Sequence, residues 1–200
     1  MPTDPANITQ LLHAAQAGDA SALDRLFPLV YEDLHRRAAQ QRAGNGGVTT
    51  MNTTAIVHEA YLKLAGQAEV SFENRAHFFA VAAKAMRHVF LDHAKRKSRQ
   101  KRGGNAPHLD IQELEIGSEQ INMNLEEAER VLAMEEALAD LTQKNPRLGQ
   151  VIECRFFGGM TVEDTAIVTN TSPATVKRDW NVARAMLFSK MSDKGLGGTE

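Results

Sequence analysis

Residues 160–178 have the residue types and spacing that form the clearest chemical pattern in the chain. A short helical pattern ends in a tight turn, and a longer helical pattern begins after it. Ser172 is a favoured N-cap, Pro173 suits the first helical position, and Asn170 tolerates the positive φ of the turn. The side chains of the longer helix that we expect to face outwards are Thr175, Lys177, Arg178, Asn181 and Arg184. Such a helix fits the major groove of DNA, and the alternative is a helical hairpin with a solvated basic face.

A second pattern is basic. Residues 95–102 hold six Lys or Arg in eight positions, at the end of a long helical stripe that begins near Arg75. These charges would neutralise nucleic-acid phosphates. The helix dipole alone would explain some of them, and the alternative is a solvated basic helix end. Four phenylalanines interleave with the basic residues, and we expect most of them in the core and one near the surface, able to stack on an unpaired base: Phe72, Phe78, Phe79 and Phe90.

Signatures of catalysis and of metal binding are missing from the sequence. His58-Glu59 is not followed by the second histidine of a zinc-protease helix, and His88 and His93 are five residues apart, on different helical faces. The glycine clusters follow no strand, so they make neither a phosphate loop nor a dinucleotide fingerprint. We therefore predict no enzyme activity, no catalytic residue, no metal site and no cofactor.

Hydropathy and cysteine usage indicate a chain that works in a reducing cytoplasm. No window approaches 18 consecutive apolar residues, and the first five residues lack the basic and apolar regions of a secretory signal. Cys154 is the only cysteine, which excludes an internal disulfide. We expect neither a membrane span nor a membrane partner.

Apolar residues recur at helical spacing throughout the 200 residues, so the predicted fold class is all-α. The net charge of −2 hides a strong asymmetry, because residues 75–102 carry +8 and residues 103–136 carry −8. We predict two small helical domains, at 1–102 and 124–193, joined by a flexible acidic linker at 103–123, with a tail at 194–200. A polar linker of this kind permits either a compact or an open arrangement of the two domains.

This order of segments resembles the extracytoplasmic-function (ECF) sigma factors, the two-domain members of the sigma-70 family. The stretch Ile56–Leu64 is similar to the polymerase-binding helix of sigma region 2, and Arg87–Arg96 is similar to its promoter-melting helix. The stretch Phe156–Arg184 is similar to the helix-turn-helix of sigma region 4. Together the resemblance spans about Ile8 to Met191.

The resemblance implies a mechanism. The first domain would bind the clamp helices of the largest subunit of RNA polymerase core and would melt the −10 element, holding a flipped base in a pocket, while the linker follows the RNA exit path. The implied −10 residues are Arg87, His88, Asp92, Lys95 and Arg96. The implied −35 residues are Ser172, Thr175, Lys177, Arg178 and Arg184. The implied polymerase-binding residues are Asn52, Thr53, Thr54, Ala55, His58 and Glu59.

One departure from the family pattern affects polymerase binding. Members of the family usually carry an acidic motif of the type Asp-Ala-Glu-Asp before the polymerase-binding helix, where this chain has Asn52-Thr53-Thr54-Ala55. A neutral surface facing a basic partner loses attraction and steering. We therefore predict that a Ser/Thr protein kinase phosphorylates Thr53 or Thr54 and restores the charge, as in an ECF subgroup under kinase control. Thr49 and Thr50 lie close enough to compete as phosphosites, and Thr53 is the preferred one. The alternative is that the threonines only cap the helix and that other contacts supply polymerase binding.

Two other functions remain open at this stage. A helix-turn-helix regulator that acts without polymerase would normally be a dimer and would bind its operator alone. A nonenzymatic partner protein would instead pair its own basic and acidic segments and so mask the DNA surface. Promoter-specific transcription in the presence of polymerase core distinguishes the three.

Overall fold

The structure, a computed structural model, describes residues 5–17, 19, 21–22, 25–26, 28–31, 33, 53–65, 72–101 and 123–195. Within these ranges the regular secondary structure is entirely helical, which confirms the predicted all-α class. None of the described helices is long and apolar enough to cross a membrane. The glycine cluster at 44–47, the residues 103–122 of the predicted linker and the residues 196–200 of the predicted tail lie outside the described residues.

Seven α-helices and one π-helical segment of the described residues position the candidate functional side chains. In chain order they are α1 (Pro5–Gln16), α2 (Thr53–Ala65), α3 (Arg75–Lys101), α4 (Leu125–Lys144), α5 (Pro146–Ile152), the π segment (Glu153–Phe157), α6 (Val162–Val168) and α7 (Pro173–Asp193). The described residues between 21 and 33 include further helical positions. The sequence predicted these helices at nearly these positions, apart from the π segment and the six extra residues at the end of α7.

Local capping fixes the start of α4 and α5. The Asn124 side chain accepts a hydrogen bond from the Glu127 backbone N–H, and the Glu127 carboxylate accepts one from the Asn124 backbone N–H, which is a capping box. Asn145 ends α4 and caps α5, with Pro146 in the first turn. Asn145-Pro146 is therefore the boundary between α4 and α5.

Helix α3 forms the centre of the first core. The predicted stripe along it is confirmed, because every one of its members is buried: Phe78, Ala82, Ala85, Met86, Val89 and His93. This stripe packs on α2 and α1, whose fully buried side chains include Ile8, Leu12 and Val57. Phe79, which is 0% exposed, adds the largest fully buried side chain.

A second core lies between α4, α5 and α7. Leu138 of α4, Ile152 of α5 and Leu187 of α7 are buried in one cluster, and Trp180 packs against it while staying partly exposed. Lys190 and Lys194 pair with Asp140 and Glu136 on α4. These pairs lie at the end of α7 and join it to α4.

The first core continues into the second half of the chain. The cluster that contains α1, α2 and α3 also includes four buried residues that follow the start of the predicted linker at residue 103: Met123, Ala128, Cys154 and Met160. Met123, which the sequence assigned to the linker, is only 3% exposed. The described parts of the two predicted domains thus pack against each other, with α3 in contact with α4, the π segment and α6. The division into two domains stays a prediction.

The crossing of α4 and α5 generates a stability prediction. A Cβ atom added at Gly149 would lie 2.8 Å from the Cβ of Thr142, so the two helices have no room for a side chain there. We expect Gly149→Ala to lower the free energy of unfolding by about 1–3 kcal/mol, measured by urea denaturation, because the packed helices must shift apart. The loss should shrink in a Thr142→Ala background, and an equally stable Gly149→Ala protein would contradict this packing.

Candidate DNA and polymerase interface

Helices α6 and α7 form a helix-turn-helix. Thr161 caps α6 by accepting a hydrogen bond from the Asp164 backbone N–H at 3.0 Å. In the turn, Asn170 has a φ of 50°, as the sequence predicted for this position. Ser172 caps α7 by accepting a hydrogen bond from the Thr175 backbone N–H at 3.1 Å, and Pro173 opens the helix. The local geometry of this motif is therefore confirmed.

The outer face of α7 carries the predicted polar groups. Ser172, Lys177, Arg178, Asn181 and Arg184 are exposed. Thr175 is half-buried, and its hydroxyl lies 2.9 Å from the Ser172 hydroxyl. The side chains of this face are therefore open to solvent, apart from the local contact between the two hydroxyls.

An ion pair beneath α7 was not predicted from the sequence. Arg147 Nε donates to Asp179 Oδ2 at 2.7 Å, and Asp179 is only 4% exposed. The pair joins α7 to α5 on the side opposite the exposed basic face. A buried carboxylate among the apolar positions of an amphipathic helix signals such a partner, but not which arginine supplies it.

Trp180 lies between the core and the basic face of α7. The guanidinium of Arg155 is 5.4 Å from the Trp180 ring centroid, and that of Arg184 is 5.7 Å away. Arg155 also donates to the Met160 carbonyl oxygen, and burial lowers the pKa of its guanidinium. The tryptophan thereby restricts Arg184 at one end of the outer face.

The basic end of α3 is largely exposed. Lys95, Arg96 and Arg99 are exposed, as is His88 further up the helix. Asp92 lies beside them, where it accepts a hydrogen bond from Lys63 of α2 at 2.6 Å. This end of α3 is therefore open to a partner from solvent.

Arg87 is the exception among the predicted −10 residues. Its side chain is 17% exposed, and its guanidinium binds two carboxylates from the second half of the chain, those of Glu135 and Glu153. Burial alone would lower the pKa of Arg87, but the hydrogen bonds and the negative charges of the two glutamates together outweigh it, and the net effect raises the pKa. The structure does not present this residue to solvent as the resemblance implied.

The four phenylalanines behave as expected only in part. Phe72, Phe78 and Phe79 are buried in the core. Phe90 is half-buried, but its ring lies 6.5 Å from that of Phe157 in the π segment. Phe90, the most exposed of the four, therefore packs against the second half of the chain.

The predicted polymerase-binding residues divide into three groups. Ala55 is 4% exposed and belongs to the first core, so its methyl group faces inwards; its role as a contact residue stays a prediction. Glu59 is half-buried and accepts from His93, whose Nε2 lies 3.1 Å from both of its carboxylate oxygens. His58 is half-buried. Asn52 lies outside the described residues, as do the side chains of the first two residues of α2, Thr53 and Thr54.

The turn of the helix-turn-helix yields a matched pair of variants. Asn170 holds a positive φ, which costs most L-residues about 1–2 kcal/mol. We expect Asn170→Ala to lower the free energy of unfolding by about 1 kcal/mol, while Asn170→Gly keeps or raises it, since glycine accepts this backbone region freely. Chemical denaturation of both variants measures the difference, and equal stability of the two would contradict the strained turn.

Comparison with known proteins identifies the family to which this geometry belongs. The family model described as ECF sigma factor matches residues 5–193, which is almost the whole chain. No curated protein and no solved structure gives a significant match. The matched range includes the basic helix α3 and the helix-turn-helix of α6 and α7. The chain therefore belongs to the ECF sigma factor family, regulatory DNA-binding proteins that bind RNA polymerase and direct transcription initiation.

Proposed function

We propose that this chain directs RNA polymerase core to its promoters in the cytoplasm, with α7 reading the −35 element and α3 acting at the −10 element. The observation that carries the proposal is the family match across residues 5–193, which spans both helices. The basic, solvent-facing side of α7 and the basic end of α3 are the two surfaces that suit a nucleic acid.

The proposal that α7 reads the −35 element is supported by the side chains near the start of this helix. The groups near the helix start that suit base edges or phosphates are Ser172, Thr175, Lys177 and Arg178, and Arg184 lies further along as a backbone contact. Arg178 is the strongest candidate for a base contact, because its side chain is 72% exposed and guanidinium binds guanine with two hydrogen bonds. Asp179 lies 3.8 Å from Arg178 but faces inwards towards Arg147, so it leaves the outer fork of the guanidinium open.

The −10 function is assigned to α3. Lys95 and Arg96, both exposed, would hold the phosphates of the duplex, and His88 and Arg87 would lie nearer the melted strand. Asp92, held by Lys63 from α2, would set the position of the neighbouring basic residues. Because α3 carries both the proposed DNA contacts and the buried stripe, its packing in the first core would fix where the DNA-contacting side chains lie.

Polymerase binding is assigned to α2 and depends on charge. Among its residues, Glu59 is engaged with buried His93, and the first turn of α2 contains no acidic residue. A partner with basic clamp helices therefore meets little negative charge on this helix. This deficit supports control by phosphorylation of Thr53 or Thr54, since each phosphate adds about −1.5 to −2 charges beside the positive end of the helix dipole. The partner that this requires is a Ser/Thr protein kinase.

A regulator that binds an operator without polymerase is the competing proposal. It is supported by the same exposed face of α7, because that face alone is enough to enter a major groove. The decisive experiment adds purified polymerase core to the chain and maps transcript starts on a pool of promoter fragments. New starts that need both proteins support the sigma function, and a stable DNA footprint of the chain alone without any new start supports the regulator.

The −35 assignment predicts unequal effects of two basic residues, one near the start of α7 and one just after its end. Arg178→Ala should cost about 1–3 kcal/mol of promoter binding by the holoenzyme and relax the preference at one −35 position, because it removes a base contact. Lys194→Ala is the matched control, since Lys194 pairs with Glu136 after the end of α7. Competition binding with −35 variants measures both. Equal losses in the two proteins would contradict the assignment.

The phosphorylation proposal predicts a kinase-dependent gain in polymerase binding. With the cognate kinase, wild type should bind core about tenfold more tightly than without it, because charge complementarity is restored. Thr53→Ala/Thr54→Ala should lose this gain, and Thr53→Glu/Thr54→Glu should show part of it without kinase. Thr49→Ala/Thr50→Ala is the control for neighbouring sites. Full activity of the Thr53→Ala/Thr54→Ala protein with kinase present would contradict the proposal.

A further inference from the structure

The contacts of Arg87 join the two halves of the chain. Its Nε and Nη2 donate to the two carboxylate oxygens of Glu135 at 2.8 and 2.6 Å, and its Nη1 donates to Glu153 Oε1 at 2.9 Å. Glu135 is on α4 and Glu153 begins the π segment, so two separate elements meet one guanidinium. All three side chains are shielded, with exposed fractions of 17%, 26% and 21%. The site is therefore a charge-compensated contact inside an interface.

Apolar packing surrounds this contact. A Cβ atom added at Gly158 would lie 2.8 Å from the Cβ of Ala83, so the chain after the π segment approaches α3 as closely as a glycine allows. Phe157 lies against Phe90 one helical turn beyond Arg87. Cys154 is 1% exposed and belongs to the core cluster of α1, α2 and α3, although it is part of the second half of the chain. The interface is thus a closed, packed surface.

The same guanidinium cannot bind these carboxylates and a nucleic-acid phosphate at once. Two carboxylates around an arginine offer the charge and the oxygen geometry that a phosphate would offer. We propose that Glu135 and Glu153 act as an internal substitute for DNA, which closes the Arg87 face of α3 in the free chain until the two halves separate. This rests on the proposed role of α3 at the −10 element.

The closed arrangement leaves the two DNA surfaces in different states. The exposed face of α7 and the basic end of α3 around Lys95 remain open to solvent. Only the Arg87 section of α3, with Phe90 beside it, is covered. The free chain is therefore able to touch duplex phosphates but not to hold a melted strand along α3. Separation of the halves would couple strand capture to assembly with polymerase.

The buried thiol of Cys154 reports whether the interface is open. Burial and the neighbouring Glu153 raise the pKa of this thiol to about 12, so it should react slowly with a disulfide reagent such as DTNB in the closed chain. Glu135→Gln removes one negative charge and one of the two oxygens that accept from Arg87. Ala83→Leu pushes the halves apart without a change of charge. We expect each variant to react about tenfold faster than wild type while remaining folded by urea denaturation.

The matched control for the charge variant is Glu126→Gln. Glu126 lies on the same helix and pairs with Arg130 on the solvent side, so its replacement removes one negative charge without touching the interface. Its thiol rate should equal that of wild type. If neither Glu135→Gln nor Ala83→Leu accelerates the thiol reaction beyond this control, the closed interface is overturned.

A DNA-binding comparison tests whether the two glutamates take the place of DNA at Arg87. The probe is a fluorescent single-stranded DNA of random sequence, titrated with the full chain without polymerase. Arg87→Ala should weaken binding about fivefold in the Ala83→Leu background but less than about twofold in wild type, where the carboxylates already occupy Arg87. Equal weakening in both backgrounds overturns the proposal that the glutamates take the place of DNA at Arg87. Failure of the proposed function would be recognised separately, as an absence of polymerase-dependent transcripts while the thiol rates still follow the interface.

Discussion

The contact of Arg87 with Glu135 and Glu153 is the constraint on which the arrangement of this chain depends. A guanidinium that is mostly shielded from water must be matched by negative charge, and breaking a shielded pair costs several kcal/mol. The two carboxylates come from α4 and from the π segment, so satisfying one arginine fixes two elements against α3. The apolar packing of Gly158 on Ala83 and the shared core around Cys154 lie in the same interface as this contact.

Local features of the fold were predictable because their causes lie within a few residues. Ser172 and Asn170 act through their own hydrogen bonds and backbone preference, and the buried stripe of α3 follows directly from helical spacing. The partners of Arg87 lie 48 and 66 residues away, and no periodicity connects them. The opposite charges of residues 75–102 and 103–136 allowed an internal pairing, but charge counts specify neither the arginine nor the carboxylates.

The burial of residues along α2 could not be predicted from the sequence motif either. Ala55 was assigned to a contact surface by its place in a motif, but the helix turns its methyl group into the first core. Glu59 lies on the same helix and points to His93 of α3, where a buried imidazole needs a polar partner. A sequence motif gives roles to consecutive residues. Whether a residue of a helix is buried depends instead on the face of the helix on which it lies. The charge deficit of α2 is consequently larger than the sequence alone indicated.

The central claim is that the chain is closed when free and opens when it works with polymerase. Spin labels on cysteines introduced at two exposed positions, Gln100→Cys on α3 and Ser189→Cys on α7, would report the separation of the halves by pulsed electron paramagnetic resonance. The account predicts a single distance in the free chain and a longer one in a complex with polymerase core that starts transcripts. An unchanged distance in a complex that starts transcripts would contradict it.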